Sequence, residues 1–541
     1  RYMIDKQKIK ELHIERNVIL LAIIAVLLFI LKIVILYMLG IKDSMLRAYI
    51  NFLISMGLYI FWIWLAICVV RNSIYYYKTG RVYDNDKDDY KRDFFELTDY
   101  FQNSEPHKMD ITEFKEQPWY KTRGIVLGTV KNRLVAIPAN SECNIAVFGP
   151  PGSGKTSGIA ITNAMTFPGS VLAVDIKGDL YNYVSQNSYR YIVRFCPDHP
   201  NALEESFHFD PFSGIEEMTV TEKKLYLESM ATILIPEETG SDGYYFSSRA
   251  RKMFQGITHL MLYQNPNVSF PDVVRAILNG NPFDWVRKAL DSDCIAAKEQ
   301  IASFYGNNEK NVSAVYDTLT TAMVHFSNPV LNELLKKSSK CISKDLLEAG
   351  CDIYLQISQE HLESYAPLFT LIIQTFCTAF TKRPDRSTGI TTTPILMLMD
   401  EFPQLTFSYE MINTNLSTLR SKNIISLIIQ QNVSQLEYRY KPIGSRSIMG
   451  NCNVQLILGS NDMATSSMFS DICGYKRVLK KSNSETYASE RSRGTSTQED
   501  SEKVFPPEYF GDLPYRNKLI LYMKGKYLEC DKLNCYSSDI T

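Results

Sequence analysis

The chain has 541 residues, 45% of them hydrophobic and 22% charged, with a net charge of −1. That length suffices for two or three domains with sizeable cores. The near-neutral balance excludes an overall basic field that would hold nucleic acid or an anionic membrane, although a local basic surface can hide in the average. The eleven cysteines are scattered without a C-x-x-C pair. Cys530 and Cys535 have no histidine or second pair to complete a zinc set, so the thiols read as reduced and cytoplasmic.

In chain order, two apolar runs come first, at residues 18–40 and 50–70. Each is long enough to cross a hydrocarbon core of about 30 Å as a helix. The first is interrupted by Lys32, close enough to the outer end to snorkel. Cleaved signal peptides have shorter apolar regions, and no small-residue cleavage site follows, so both runs are expected to stay as anchors. Arg1, Lys6, Lys8, Lys10 and Arg16 precede the first run, and Arg71, Lys78 and Arg81 follow the second. The connection between them holds only Lys42 and Arg47, with Asp43 beside them. This asymmetry predicts both termini on the cytoplasmic side of a cell membrane. Residues 1–71 are therefore an anchor, and the polar, tyrosine-rich stretch 72–117 a connector.

A nucleotide site is written next. The apolar "NIAVFG" reads as a buried strand and runs into Gly149-Pro150-Pro151-Gly152-Ser153-Gly154-Lys155-Thr156-Ser157. The pattern G-x-x-x-x-G-K-[ST] lets backbone N–H groups cradle phosphate oxygens at the positive end of the following helix. Lys155 is placed to reach the β- and γ-phosphates of ATP, and the Thr156 hydroxyl to ligate Mg2+. A nucleotide motor also needs an acidic strand end, and "TPILMLMDEF" supplies Asp400 for the magnesium and Glu401 to polarise the attacking water.

Further near-continuous apolar runs at 171–176, 353–358, 424–431, 454–459 and 518–523 suit parallel strands covered on both faces. They predict an α/β nucleotide-binding fold in two parts, 118–213 and 346–541. Between them, 214–345 has helical periodicity and no strand candidate. Phe246, Ala250, Met253, Ile257 and Leu260 lie on one helix face, and "SFPD" at 269–272 resembles a capping box. This segment is expected to be an all-α insertion. Its Lys223, Lys224, Arg249, Arg251, Lys252 and Arg275 form either a solvated face or phosphate contacts. Residues 480–503 are polar and read as a flexible surface loop, and the last forty as a terminal strand pair.

Several blocks, in order, resemble the coupling proteins of type IV secretion and conjugation, the TraG/TraD-like ATPases. They are the phosphate-loop block, "FPGSVLAVDIKGDLY" with Asp175, Lys177 and Gly178, "LMDEFPQL", "LRSKNIISLIIQQNVSQLEYRY" and "GNCNVQLILGSND". The resemblance implies a RecA-like motor, a homo-hexameric ring at the inner membrane, and a channel for single-stranded DNA delivered with relaxase. It further implies type IV secretion channel partners, Arg420 reaching a neighbouring subunit's nucleotide, and Gln431 sensing the γ-phosphate. Many such proteins carry a larger outer domain between their spans, which this chain lacks. Two other readings share the motor site: a DNA translocase of the FtsK kind, and a cargo receptor that uses nucleotide only as a switch.

Overall fold

The computed structural model describes residues 124–535, apart from 132, 238–240, 391, 406 and 488–490, together with 45, 55–56, 93–97, 108–109 and 114–118. Both expected membrane spans lie almost wholly outside the described residues. Among the described residues, no helix is long and apolar enough to cross a membrane.

The chain from Lys91 onward forms one compact unit built on a thirteen-stranded sheet. Its strands are β1 (Asp93–Leu97), β2 (Phe114–Pro118), β3 (Gly124–Val130), β4 (Arg133–Pro138), β5 (Ile145–Phe148), β6 (Ser170–Asp175), β7 (Ile192–Phe195), β8 (Asp352–Gln356), β9 (Ile395–Met399), β10 (Ile424–Gln430) and β11 (Val454–Ile457). After a separate two-stranded ribbon, β12 (Tyr475–Tyr487) with β13 (Arg491–Lys503), come β14 (Lys518–Met523) and β15 (Lys526–Asp531). The main sheet runs β2-β1-β4-β3-β15-β14-β11-β5-β10-β9-β6-β8-β7. From β11 to β7 every pair is parallel, and β14–β15 is an antiparallel hairpin beside that block.

Why the central strands read as continuous apolar runs is now visible. Ala146, Leu172, Met397 and Ile428 belong to one buried cluster, and their neighbours Val147, Ala173, Leu398 and Ile429 to another across the sheet. Side chains alternate between faces, and both faces are covered, so no polar alternation survives. One face carries the helix after the phosphate loop, α1 (Ile161–Thr166), and α2 (Asp179–Asn187), through Ile161, Ala164, Leu180 and Val184.

Between β7 and β8 the chain is helical: α3 (Val220–Leu234), α4 (Ser241–Gln264), α5 (Phe270–Leu278), α6 (Pro282–Asp291), α7 (Ile295–Ile301), α8 (Glu309–Met323) and shorter turns to Glu348. Ala250, Met253, Ile257 and Leu260 of α4 are fully buried. Ser269 and Asp272 close a reciprocal capping box at the start of α5. These helices share one continuous cluster with the other sheet face. The remaining long helices are α9 (Leu362–Thr381), α10 (Tyr409–Thr418), α11 (Val433–Asn451) and α12 (Met463–Cys473).

The expected loop at 480–503 is instead most of the β12–β13 ribbon, paired at thirteen positions. A ribbon outside the main sheet needs no apolar face toward it, so backbone pairing here leaves little hydrophobic pattern to read. None of the ten described cysteines is in a disulfide, and Cys68 lies outside the described residues.

Candidate functional site

The site forms at the carboxyl ends of the parallel strands, where open α/β sheets bind ligands. Strand β5 ends at Phe148, and the Gly149 N–H donates to the Gln430 carbonyl of β10 at 3.2 Å, fixing the loop's point of departure. Gly152 and Gly154 take φ of 77° and 93°, conformations that a side chain would strain. A Cβ on Gly149 would lie 2.3 Å from Ser153 Oγ. Glycines at these positions let the backbone close tightly and turn its N–H groups inward. The first helical turn, Lys155–Ala160, is π-type, a local widening frequent at functional sites.

Lys155 is buried, and its Nζ donates to the carbonyls of Gly149 at 2.6 Å and Pro150 at 3.1 Å. Burial pulls its ionisation below the usual lysine range, Glu401 and Asp400 oppose that, and Lys177 adds to it. Around it opens a cleft of about 320 Å³ lined by Pro151, Gly152, Gly154, Lys155, Thr156, Ser157, Ile161, Lys177, Asp179, Asp400, Glu401 and Gln431.

The acidic pair ends β9. Burial, reinforced by Glu401, pushes the Asp400 carboxyl up to about 6. Glu401 sits in left-handed backbone, φ 47° and ψ 42°, which costs a non-glycine residue on the order of 1 kcal/mol or more. That turn sends Phe402 fully into the core while keeping Glu401 at the cleft. Glu401 Oε1 accepts from Gln431 Nε2 at 3.3 Å, whereas its buried Oε2 has no hydrogen-bond partner. Ser153 Oγ is likewise buried without one.

The residues fit a nucleoside triphosphate with a divalent ion. A tight backbone cradle, a lysine resting on its carbonyls and an unsatisfied carboxylate oxygen all face one cleft. Among the described residues, no group of three or more His, Cys, Asp or Glu forms a metal cage. An ion here would rely on Thr156, Asp400, phosphate and water, the ligand set magnesium prefers.

Of the expected site residues, Lys155, Thr156, Ser157, Asp400, Glu401 and Gln431 come together, with Gly149, Pro150 and Ser153 forming the cradle. Arg420 does not join them. It lies in the turn Leu419–Lys422, just before the amino end of β10, and donates from Nη1 to Asn453 Oδ1 at 3.0 Å. The seven residues of β10 separate it from the cleft by roughly 20 Å. Sequence reading missed Lys177 and Asp179 as cleft residues, although the signature following β6 was the available signal. Asp175 works beneath them: its carboxylate accepts from the N–H groups of Gly178 at 3.0 Å and Tyr181 at 2.8 Å, so it shapes the turn into α2. Burial raises its carboxyl to about 6, against those hydrogen bonds.

The basic residues of the helical segment are largely occupied. Lys224 pairs with Glu299, Arg275 pairs with Asp272, Arg249 bonds Ser303 and covers Phe304, and Arg251 donates to the Ile235 carbonyl. That favours an internally braced face over phosphate contacts.

Residues 107–541 match the protein family described as Type IV secretory system Conjugative DNA transfer. Protein VirD4 of Rhizobium radiobacter is 24% identical over 400 residues, covering 72% of this chain and 56% of that protein. Conjugal transfer protein TraG of Escherichia coli is 21% identical over 366 residues, covering 63% of this chain and 56% of that one. The chain thus spans little more than half the length of these relatives. Among solved structures, the bacterial conjugative coupling protein TrwBdeltaN70, unbound, superposes with a TM-score of 0.58 at 15% identity, covering 77% of this chain and 91% of that one. Plasmid coupling protein TrwB in complex with ADP and Mg2+ gives 0.57 at 14% identity, covering 78% and 93%. At such identity these structures establish a shared fold.

Proposed function

Because the chain belongs to the type IV secretory system family of conjugative DNA transfer proteins, we propose that it is a coupling ATPase that takes relaxase-bound single-stranded DNA, and protein cargo with it, to a secretion channel. The observation that carries this reading is the single cleft uniting the phosphate cradle, Lys155, Asp400, Glu401 and Gln431.

In this reading the motor is RecA-like and hexameric. It is held at the inner membrane by spans at 18–40 and 50–70, both termini cytoplasmic; the stretch 72–117 that follows is a connector only in its first part, since β1 and most of β2 belong to the main sheet, and the insertion 214–345 divides the motor. The N–H groups between Gly152 and Ser157 and the Lys155 ammonium bind the phosphates of ATP, and Thr156 with Asp400 hold Mg2+. Magnesium, when bound, supplies charge neutralisation at the transferring phosphoryl group. Glu401 orients the attacking water and takes its proton at the carboxylate, for which its unpartnered Oε2 is available. Gln431 holds the other oxygen and reports on the γ-phosphate. Arg420 serves a neighbouring subunit's site. TrwB structures with a non-hydrolysable ATP analogue and with ADP and Mg2+ support the ligand assignment by analogy of fold.

The test is phosphate release by the detergent-extracted full chain with and without single-stranded DNA. Release that rises with DNA and disappears in Lys155→Ala is the expected result. Nucleotide binding without any DNA-dependent turnover would replace the motor with a switched receptor.

A further inference from the structure

Helix α11 is broken in its middle. Lys441 has φ 61° and ψ 166°, a region almost reserved for glycine, and Pro442 follows it. Proline explains why Lys441 is not helical, because its ring disfavours the α region in the preceding residue. The positive φ is extra strain, of a kind that persists only where the surrounding structure enforces it.

The break throws a turn outward. Tyr438 is 93% and Ile443 80% exposed, and Arg439, Lys441 and Arg446 are exposed beside them. Among the described residues, none of these three cations is in a salt bridge, Arg439 lies close to the Tyr440 hydroxyl, and Glu437, just before the turn, is the nearest acid in sequence. An exposed aromatic ring among cations outside any salt bridge is the chemistry of a single-strand platform: a base stacks on the ring while the cations meet phosphates. A stable protein–protein interface takes about 20–30 residues a side, more than this turn offers.

The same turn has a buried end. Tyr440, between the two exposed cations, is 6% exposed and stacks on Phe402 with ring centroids 6.0 Å apart and planes 25° apart. Phe402 also stacks with Phe407, at 6.1 Å and 23°. Phe402 follows Glu401 directly, so the Tyr440–Phe402 pair joins the turn to the strained residue at the head of the cleft.

We infer that the turn Tyr438–Ile443 is a contact site for single-stranded DNA, and that the Tyr440–Phe402 stack carries occupancy of that site to Glu401. This rests on the DNA-coupling reading above. It adds where the strand is held and how its arrival changes hydrolysis. Tyr438 stacks a base, Arg439 and Lys441 meet phosphates, and holding the turn fixes Tyr440 against Phe402.

The experiment uses the full chain in detergent with a fluorescein-labelled oligothymidylate and a non-hydrolysable ATP analogue, read by anisotropy over a salt series. Phosphate release is followed in parallel. Tyr438→Ala should weaken oligonucleotide binding at least about five-fold, the low end for one lost stacking platform. Arg439→Ala with Lys441→Ala should weaken binding and flatten the salt dependence by about 1.4 log units per log unit, for two phosphate contacts. Tyr440→Leu should bind the oligonucleotide but lose the DNA-dependent rise in phosphate release, while Tyr440→Phe, which keeps the ring, retains it. Wild-type affinity and salt slope in both surface variants, with the wild type binding well, would overturn the site. Altered subunit assembly in Tyr438→Ala with intact DNA binding would overturn it in favour of a second copy. Full stimulation in Tyr440→Leu would overturn the stacked route. A wild-type chain that binds no single strand fails the function reading itself, which is a separate result.

Discussion

Strand β10 carries opposite chemistry at its two ends. At the carboxyl end Gln431 reaches into the cleft and donates to Glu401. At the amino end Arg420 is turned toward Asn453, a strand's length away. A parallel sheet places every carboxyl end at one edge, so a residue before the strand cannot serve its own chain's cleft without unmaking the strand. A second copy can present that edge. The contrast teaches that Arg420 stands outside its own chain's cleft, so the role proposed for it requires a second copy.

The largest expected effect tests this contrast. Arg420→Ala should keep nucleotide binding and lose hydrolysis by about 10³-fold or more, the range for an arginine supplied across an interface. Lys155→Ala should lose binding and hydrolysis together, because its ammonium sits within the cradle itself. Mixing the two variants should restore part of the activity, since some interfaces then pair an intact cleft with an intact arginine. No recovery over a range of ratios, with co-assembly demonstrated by tagged pull-down, would place Arg420 in folding rather than catalysis.

Glu401→Gln comes next. It keeps the shape and the neighbour of Gln431 but cannot accept a proton, so binding of ATP should persist and turnover should fall by about 10²–10⁴-fold. Equilibrium binding of a fluorescent ATP analogue beside single-turnover hydrolysis separates the two. Weakened binding to match the lost rate would mean that Glu401 supports the nucleotide instead of the water.

How much of this was legible follows from what each residue must do. The phosphate loop is legible because backbone geometry demands glycine at fixed places and chemistry demands Lys155 and Thr156. The central strands are legible because both faces are covered. The start of α5 is legible because Ser269 and Asp272 satisfy orphan N–H groups at a fixed spacing. Strand β7 was missed because Ile192–Phe195 is four residues with Arg194 among them, too short for its pattern to stand out. Lys177 and Asp179 were missed as cleft residues because they follow a strand three places from β5 in the sheet, and only folding order brings them to the loop. The stack of Tyr440 on Phe402 joins residues 38 apart, and nothing in either local pattern announces the other.

A smaller effect follows from the buried carboxyls. Asp400 and Asp175 are both raised to about 6, chiefly by burial. A carboxyl whose pKa is higher folded than unfolded binds more protons in the native state between the two values. Stability of the nucleotide-free protein should therefore fall as pH rises from about 4 through 6. Asp400→Asn removes half of that penalty and should raise the nucleotide-free unfolding midpoint at pH 8, while abolishing hydrolysis. Hydrolysis by the wild type should run the other way, declining in acid at a pH below about 6, because magnesium needs the ionised form and, once bound, favours it. Urea unfolding at pH 5 and 8, for wild type and Asp400→Asn, measures the first claim. An unchanged pH slope in the variant would remove Asp400 as its source.

The smallest effect contrasts the helical segment with the sheet. Ser269 accepts from the Asp272 N–H at 3.4 Å, and the Asp272 carboxylate accepts from the Ser269 N–H at 3.1 Å. Ser269→Ala should cost about 1 kcal/mol, the usual loss of an N-cap. Where that loss appears is the informative part. Phe270, Val273 and Ile277 of α5 lie in the same buried cluster as Leu172, Met397 and Ile428 of the sheet. If that shared core makes one cooperative unit, the variant should accelerate amide exchange in α5 and in β9 by the same factor, about five-fold for 1 kcal/mol in the regime where exchange reports equilibrium opening. Exchange that quickens in α5 and leaves β9 untouched would mean that the helices open by themselves. The continuous core would then be contact without cooperativity.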